Sequence, residues 1–313
     1  MSEKLDALKK STRGVVIAMN TPFKADYSPD LDGFRRNVEH TIEAGVVHGK
    51  GVLLVCAGGG EIAFLTPAEI AEYTKVAVDV SAGRAHVMPG VYGESVALAS
   101  EAAKMVQDAG ADSIQMGPPR WPGLTMDDFY RFYEGVANSI DIGISVYNTH
   151  WYTRLMTVQD ILRLAEIDNV IAVKWGHPNY QAFLAGVQDL VNEILVFDNQ
   201  VSHVASHSLG AAGYISTTGP WWPAYEVKIV EAMQAGDYTE ATRLLADLIY
   251  PFRKYWQDMT VTSQKGGPSA ILKAAADLCG MVGGVSRPPS ANLNAKEIAD
   301  LREFLAAHNV PVV

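Results

Sequence analysis

From Gly14 to about Thr218 the chain alternates short apolar, β-branched runs with longer amphipathic segments. The runs fall at residues 15–19, 51–56, 86–91, 113–116, 143–147, 171–175, 195–197 and 213–217. Such nearly continuous apolar stretches read as strands buried on both faces, the habit of parallel sheets. The segments between them carry helix-start signals. Thr66-Pro67-Ala68-Glu69 is a capping box with proline at the first helical position. Thr125-Met126-Asp127-Asp128 and Thr157-Val158-Gln159-Asp160 open two more helices with early acids.

Strand and helix alternating through short connections imply right-handed parallel βαβ units. Eight such units predict a closed α/β barrel, the (β/α)8 or TIM barrel, rather than an open doubly wound sheet. No Gly-x-Gly-x-x-Gly opens a helix after a strand. Beyond about Pro223 the strand pattern stops, and residues 225–235, 238–258, 270–278 and 295–307 read as helices. Gly236, Gly266-Gly267-Pro268 and Arg287-Pro288-Pro289 punctuate them. The first of these helices completes the barrel. The expectation is therefore a barrel over residues 1–235 and a C-terminal helical extension over 236–313.

Composition narrows the function classes. The chain has 313 residues, 48% hydrophobic and 19% charged, which is ordinary for a globular protein. Its net charge of −10 and the absence of a Lys/Arg cluster argue against nucleic acid or an anionic membrane as partner. Residues 1–10 lack the apolar core of a signal peptide, and no stretch is apolar enough to cross a bilayer. Cys56 and Cys279 stand alone and far apart, so neither a disulfide framework nor a cysteine zinc cluster is expected. A reducing cytoplasm fits.

In a barrel of this kind chemistry belongs at the C-terminal strand ends. Lys174 closes the run Val170-Ile171-Ala172-Val173-Lys174-Trp175. An ammonium carried into such a place loses hydration, its pKa falls, and the neutral amine can attack a carbonyl to form a Schiff base. The other reading is a lysine that snorkels to solvent at a strand end. Tyr147 ends the neighbouring run. If both point inward, so do Ala172 and Ser145 two residues earlier, small side chains that leave room beneath a substrate. The phenol would then lie near the amine and could move protons; taken alone, Tyr147 reads equally as a half-buried core tyrosine. After the second run comes Cys56-Ala57-Gly58-Gly59-Gly60-Glu61, where side-chain-free N–H groups suit an anion such as a carboxylate. Glu61 reads as a hydrogen-bonded structural carboxylate in preference to a catalytic acid.

Taken together these segments resemble the dihydrodipicolinate synthase/N-acetylneuraminate lyase superfamily of class I aldolases. The resemblance rests on Ala18-Met19-Asn20-Thr21-Pro22-Phe23, the Gly-Gly-Gly-Glu loop before Leu65-Thr66-Pro67-Ala68-Glu69, Val146-Tyr147-Asn148, Val170 to Lys174, Gly213-Tyr214-Ile215-Ser216 and Ser286-Arg287-Pro288-Pro289. It implies that Lys174 forms the Schiff base with a 2-oxo acid and that Tyr147 is the acid/base phenol. It also implies that Gly58 and Gly59 hold the substrate carboxylate near the Ile215 backbone, and that the chain assembles as a homotetramer, a dimer of dimers. The chain departs from the lysine-biosynthetic members. Gly58 and Gly59 replace two threonines, Arg120 replaces a tyrosine, and His150-Trp151-Tyr152-Thr153 replaces a Pro-x-Arg-Thr segment. Members acting on aryl-substituted pyruvates carry a tryptophan after the fourth strand, as here at Trp121.

Trp121, Trp151, Trp175, Trp221 and Trp222 follow predicted strand ends, so five indoles are expected at the barrel mouth, facing either a bulky substituent or a neighbouring subunit. Arg120 would pair with a second carboxylate or lie on the surface. His150 and His177 would be proton donors or polar lining, with His150 a substrate contact. His203 and His207 lack the glutamate of a metallopeptidase motif, and neither a metal nor a cofactor is expected. Asp198 reads as a cap for the following helix. The function expected is a lyase, aldolase or dehydratase, acting on a small pyruvate-type 2-oxo acid. A synthase-like condensation and a non-catalytic 2-oxo-acid binding protein are the alternatives.

Overall fold

The computed structural model describes residues 2–149, 154–263 and 269–313. Its strands are β1 (Gly14–Ala18), β2 (Gly51–Val55), β3 (His86–Val91), β4 (Ser113–Met116), β5 (Gly143–Asn148), β6 (Val170–Trp175), β7 (Leu195–Asp198) and β8 (Gly213–Ser216). They close in sequence order into one barrel, every neighbouring pair parallel, with helices in the crossovers. Strand limits differ from the sequence expectation by no more than one residue. The capping box expected at Thr66 forms, and the two other helix starts prove to be capping boxes as well: Thr66, Thr125 and Thr157 each accept from the backbone three residues on.

The pleat sorts each strand into two faces. Val16, Val52, Leu54, Met88, Ala172 and Phe197 point into the barrel, with Ile215 packed against them. Ile17, Leu53, Val87, Val146 and Val173 point outward into the layer shared with the helices. An irregularity in the β5–β6 register at Ile144/Ser145 leaves Ser145 opposite Ala172 and Tyr147 opposite Lys174.

The N-terminal helix Ser2–Ser11 was not legible in the pattern. It lays Leu5 and Leu8 against the barrel interior. Just above, Thr12 Oγ1 lies 3.2 Å from His86 Nδ1, and His86 Nε2 lies 2.7 Å from Ser113 Oγ. Burial lowers the His86 pKa to about 3, so this histidine is a neutral hydrogen-bonding core residue. The barrel is thereby plugged at the strand N-termini and left to function at the other end.

After the helix Pro223–Gln234 come Tyr238–Leu244, a π turn at Leu245–Ile249, Tyr250–Ser263, Ser269–Leu278 and Ala295–Ala307. These helices return to the barrel mouth. Asn37 clasps Val282 through both ends of its amide at 2.7 and 2.8 Å. Arg287 donates to Phe64 O, Tyr27 O and both oxygens of Glu69, and stacks 4.2 Å over Phe23.

The seam between β8 and β1 is the tightest part of the barrel. A Cβ on Gly213 would fall 1.8 Å from the Gly14 carbonyl oxygen. Gly213→Ala is expected to destabilise the fold by about 3 kcal/mol, the upper end of overpacking costs. Denaturant unfolding checks this, and an unchanged midpoint would show that the seam can relax.

Candidate active site

Lys174 and Tyr147 are register partners on β6 and β5, both directed into the barrel at its C-terminal end. The lysine Nζ lies 4.5 Å from the centre of the tyrosine ring. Beneath them sit Ala172 and Ser145, as the alternation requires. The pair expected from sequence is therefore brought together.

Burial, and then the positive charge of Arg253, lower the Lys174 pKa from 10.5 to about 7. By area the residue keeps partial contact with solvent. That figure includes its aliphatic stem, whereas the pKa follows the desolvated ammonium. A ring face would favour the charged form by ~0.5–2 kcal/mol. The fall in pKa corresponds to roughly 4–5 kcal/mol in the opposite sense, so desolvation wins. At neutral pH about half of the amines are uncharged, against roughly one in 3,000 for an ordinary lysine. Arg253, on the helix Tyr250–Ser263, was not singled out from sequence; it lies far along the chain and stacks 4.9 Å over Trp256.

The glycine loop follows β2. Gly58–Gly60 form a single 3-10 turn bracketed by two non-glycine residues in left-handed conformation, Cys56 (φ 51°) and Glu61 (φ 54°). Such residues persist only where their surroundings hold them. Here Cys56 is fully buried, and the Glu61 carboxylate meets Lys273 Nζ at 2.5 Å with both side chains buried. Lys273 also donates to Val285 O at 2.7 Å and lies 4.4 Å over Phe23. Thr21 Oγ1 donates to Gly60 O at 2.5 Å. Glu61 is thus a structural carboxylate, as expected, and its partner comes from the C-terminal extension. The N–H groups of Gly60, Glu61 and Ile62 turn back onto Ala57 and Gly58 carbonyls. Those of Gly58 and Gly59 begin the turn, where no carbonyl within it can reach them. A Cβ on Gly58 would touch nothing within 4 Å, so this glycine leaves open space.

The other expected residues divide. Ile215 lies partly exposed on β8, facing the interior beside the mouth. Arg120 is on the exposed rim, where Glu94 takes its Nε at 2.7 Å and its backbone N–H at 2.6 Å. A second substrate carboxylate would have to displace Glu94. His150 and Trp151 lie outside the described residues. The base of their loop is held by Asn148, whose amide donates to Met156 O and accepts from Met156 N, each at 3.0 Å. His177 bonds the backbone of Asn179 at the start of the next helix.

The expectation of an indole-lined mouth is corrected for Trp175 and Trp221. Trp175 is buried with its Nε1 bonded to Phe183 O, and Trp221 is buried against Phe252. Trp222 packs on Tyr225, and Trp121 is 72% exposed. Strand alternation explains Trp175: with Lys174 inward, its neighbour must face the helices. Asp198 ties down the turn after β7 by accepting from Gln200 N and Ser202 N, and its Oδ2 lies 2.7 Å from His203 Nδ1.

Two outcomes follow. Lys273→Met should cost about 3–5 kcal/mol by stranding the buried Glu61 carboxylate, with most of the loss recovered in Glu61→Met/Lys273→Met. Chemical unfolding of both variants checks this, and a single variant as stable as wild type would refute the pairing. Lys174 is charged below pH 7 and neutral above it. The rate of imine formation with pyruvate should therefore climb through about pH 7 and then level. Arg253→Met removes a like charge, so it should move that rise to higher pH; a rise unmoved, or moved downward, contradicts the electrostatic assignment.

Residues 11–308 match the model of the Dihydrodipicolinate synthetase family. The 4-hydroxy-tetrahydrodipicolinate synthase of Chloroherpeton thalassium is 28% identical over 296 residues, covering 94% of each chain. A Rhizobium meliloti protein named "Probable 5-dehydro-4-deoxyglucarate dehydratase" is 29% identical over 303 residues, covering 92% of this chain and 93% of its own. The crystal structure of dihydrodipicolinate synthase from Aquifex aeolicus superposes with a TM-score of 0.82 at 26% identity, covering 96% of this chain and 99% of that one. The chain belongs to the dihydrodipicolinate synthetase family and is a lyase.

Proposed function

We propose that this lyase acts on a pyruvate-type 2-oxo acid through a Schiff base on Lys174. One observation carries the reading: an amine with its pKa lowered to about 7 lies 4.5 Å from the ring of a register-paired tyrosine. The neutral amine adds to the ketone carbon, and Tyr147 moves protons as the carbinolamine loses water. The iminium then draws electrons from the bond to be broken, so the scheme calls for no cofactor. A C–C bond opens in retro-aldol cleavage, or water leaves across adjacent carbons. Gly58 and Gly59, with the Ile215 backbone, are the proposed carboxylate cradle, and His150 a proposed further contact. Arg120 is a proposed partner for a second carboxylate, which would have to displace Glu94. Trp175 and Trp221 are turned away from the site and lend no support to an aromatic substituent. Residues 1–235 would form the catalytic barrel and 236–313 the extension that braces it.

We also infer a homotetramer and a cytoplasmic setting. Trp121 is 72% exposed beside the Arg120–Glu94 bridge, with Leu98 56% exposed four residues past Glu94. An apolar rim of that kind suits a partner subunit. Both cysteines are free thiols, which suits a reducing compartment.

Borohydride treatment with pyruvate should raise the intact mass through a reduced adduct on Lys174, and Lys174→Ala should not label. Saturable pyruvate binding with neither adduct nor turnover would instead mark a binding protein. Light scattering should report four subunits, falling to a smaller assembly in Trp121→Ser; a monomeric wild type would refute the tetramer.

A further inference from the structure

We infer that the Gln115 amide holds one water molecule against Tyr147, making Gln115 a positioning residue for the phenol that moves protons. The inference rests on the role proposed for Tyr147. Gln115 lies on β4 directly opposite Ser145 on β5, one inward step below Tyr147. It is only 5% exposed, and its Nε2 is buried with no hydrogen-bond partner. Ser145 Oγ, next to it in register, is buried and unpartnered as well.

Buried amide and hydroxyl groups are nearly always hydrogen-bonded, so two orphans side by side need an account. For Gln115 a cavity of about 20 Å³ supplies it, with Tyr147, Gly117, Ala57 and Gly58 among its other walls. One water needs roughly 10–15 Å³ of such space and two to four polar partners. The cavity takes a water. The two ends of the Gln115 amide exchange by a half-turn, so either can face the water.

The chemical consequence is local. Tyr147 gives its hydroxyl proton to the oxygen leaving the carbinolamine; the C–O bond breaks as the nitrogen lone pair forms C=N, and water departs. The held water then donates a hydrogen bond to the phenolate oxygen until Tyr147 takes a proton from the substrate atom that next loses one. The held water gains and loses no net proton.

Gln115→Met keeps length and volume but removes the polar grip. It is expected to fold with a Tm within a few degrees of wild type, because one buried hydrogen bond to water contributes only about 0.5–1.5 kcal/mol. Imine formation at saturating pyruvate should slow roughly ten- to a hundredfold, less than the about 10²–10⁴-fold worth of a complete general acid–base catalyst because Tyr147 itself remains, while half-saturating pyruvate stays unchanged. The wild-type crystal structure should show an ordered water within hydrogen-bond distance of Gln115 and Tyr147 Oη, absent in the variant. Gln115→Glu, which keeps a polar grip, should restore most of the rate and serves if the methionine variant misfolds. A dry wild-type cavity, an unchanged rate in a folded Gln115→Met, or a change confined to half-saturating pyruvate would overturn the inference. Failure of the wild type to form any Lys174 adduct would instead remove the Schiff-base reading beneath it.

Discussion

Everything at the barrel mouth depends on withholding water from one ammonium group. A closed parallel barrel does this economically. The strand pleat places Lys174 inward above the small apolar Ala172, and the N-terminal helix plugs the far end with Leu5 and Leu8. The cation–π contact with Tyr147 works against deprotonation, but by less than the desolvation it opposes. Arg253 adds a like charge from the C-terminal extension. The neutral amine is therefore a property of the whole barrel and its cover, and no single neighbour accounts for it.

The extension has a second task, which is to hold the glycine loop in a path its own residues would not choose. Cys56 and Glu61 both adopt left-handed conformations on either side of three glycines. The buried Lys273–Glu61 pair fixes one end of that loop, and Thr21 fixes Gly60. Arg287, meanwhile, joins Phe23, Phe64 and the Glu69 capping box. Three of the segments that looked like family motifs, residues 18–23, the glycine loop with the Glu69 box, and residues 286–289, thus meet at one corner of the molecule. Several of them act by anchoring the loop rather than by touching a substrate.

Much of this was legible in the sequence because short-range rules governed it. Strand limits followed from apolar runs, helix starts from Thr-x-x-acid boxes, and the Lys174–Tyr147 pairing from alternation on adjacent strands. What escaped was long-range. Nothing local marks Lys273 as the partner of a glutamate 212 positions away, nor Arg253 as a charge near the mouth. The N-terminal helix shows too narrow an apolar side to announce itself. The tryptophans were misplaced for a different reason. Position after a strand says which end of the barrel a residue occupies, and only its parity on the pleat says which way it faces.

The most direct test of the account is a nitrogen-15 NMR titration of the Lys174 side chain, assigned by its loss in Lys174→Met. A midpoint near pH 7 is the result predicted. A midpoint at the ordinary lysine value, near 10.4, would mean that the amine is solvated and that the structure does not prepare it to attack a carbonyl.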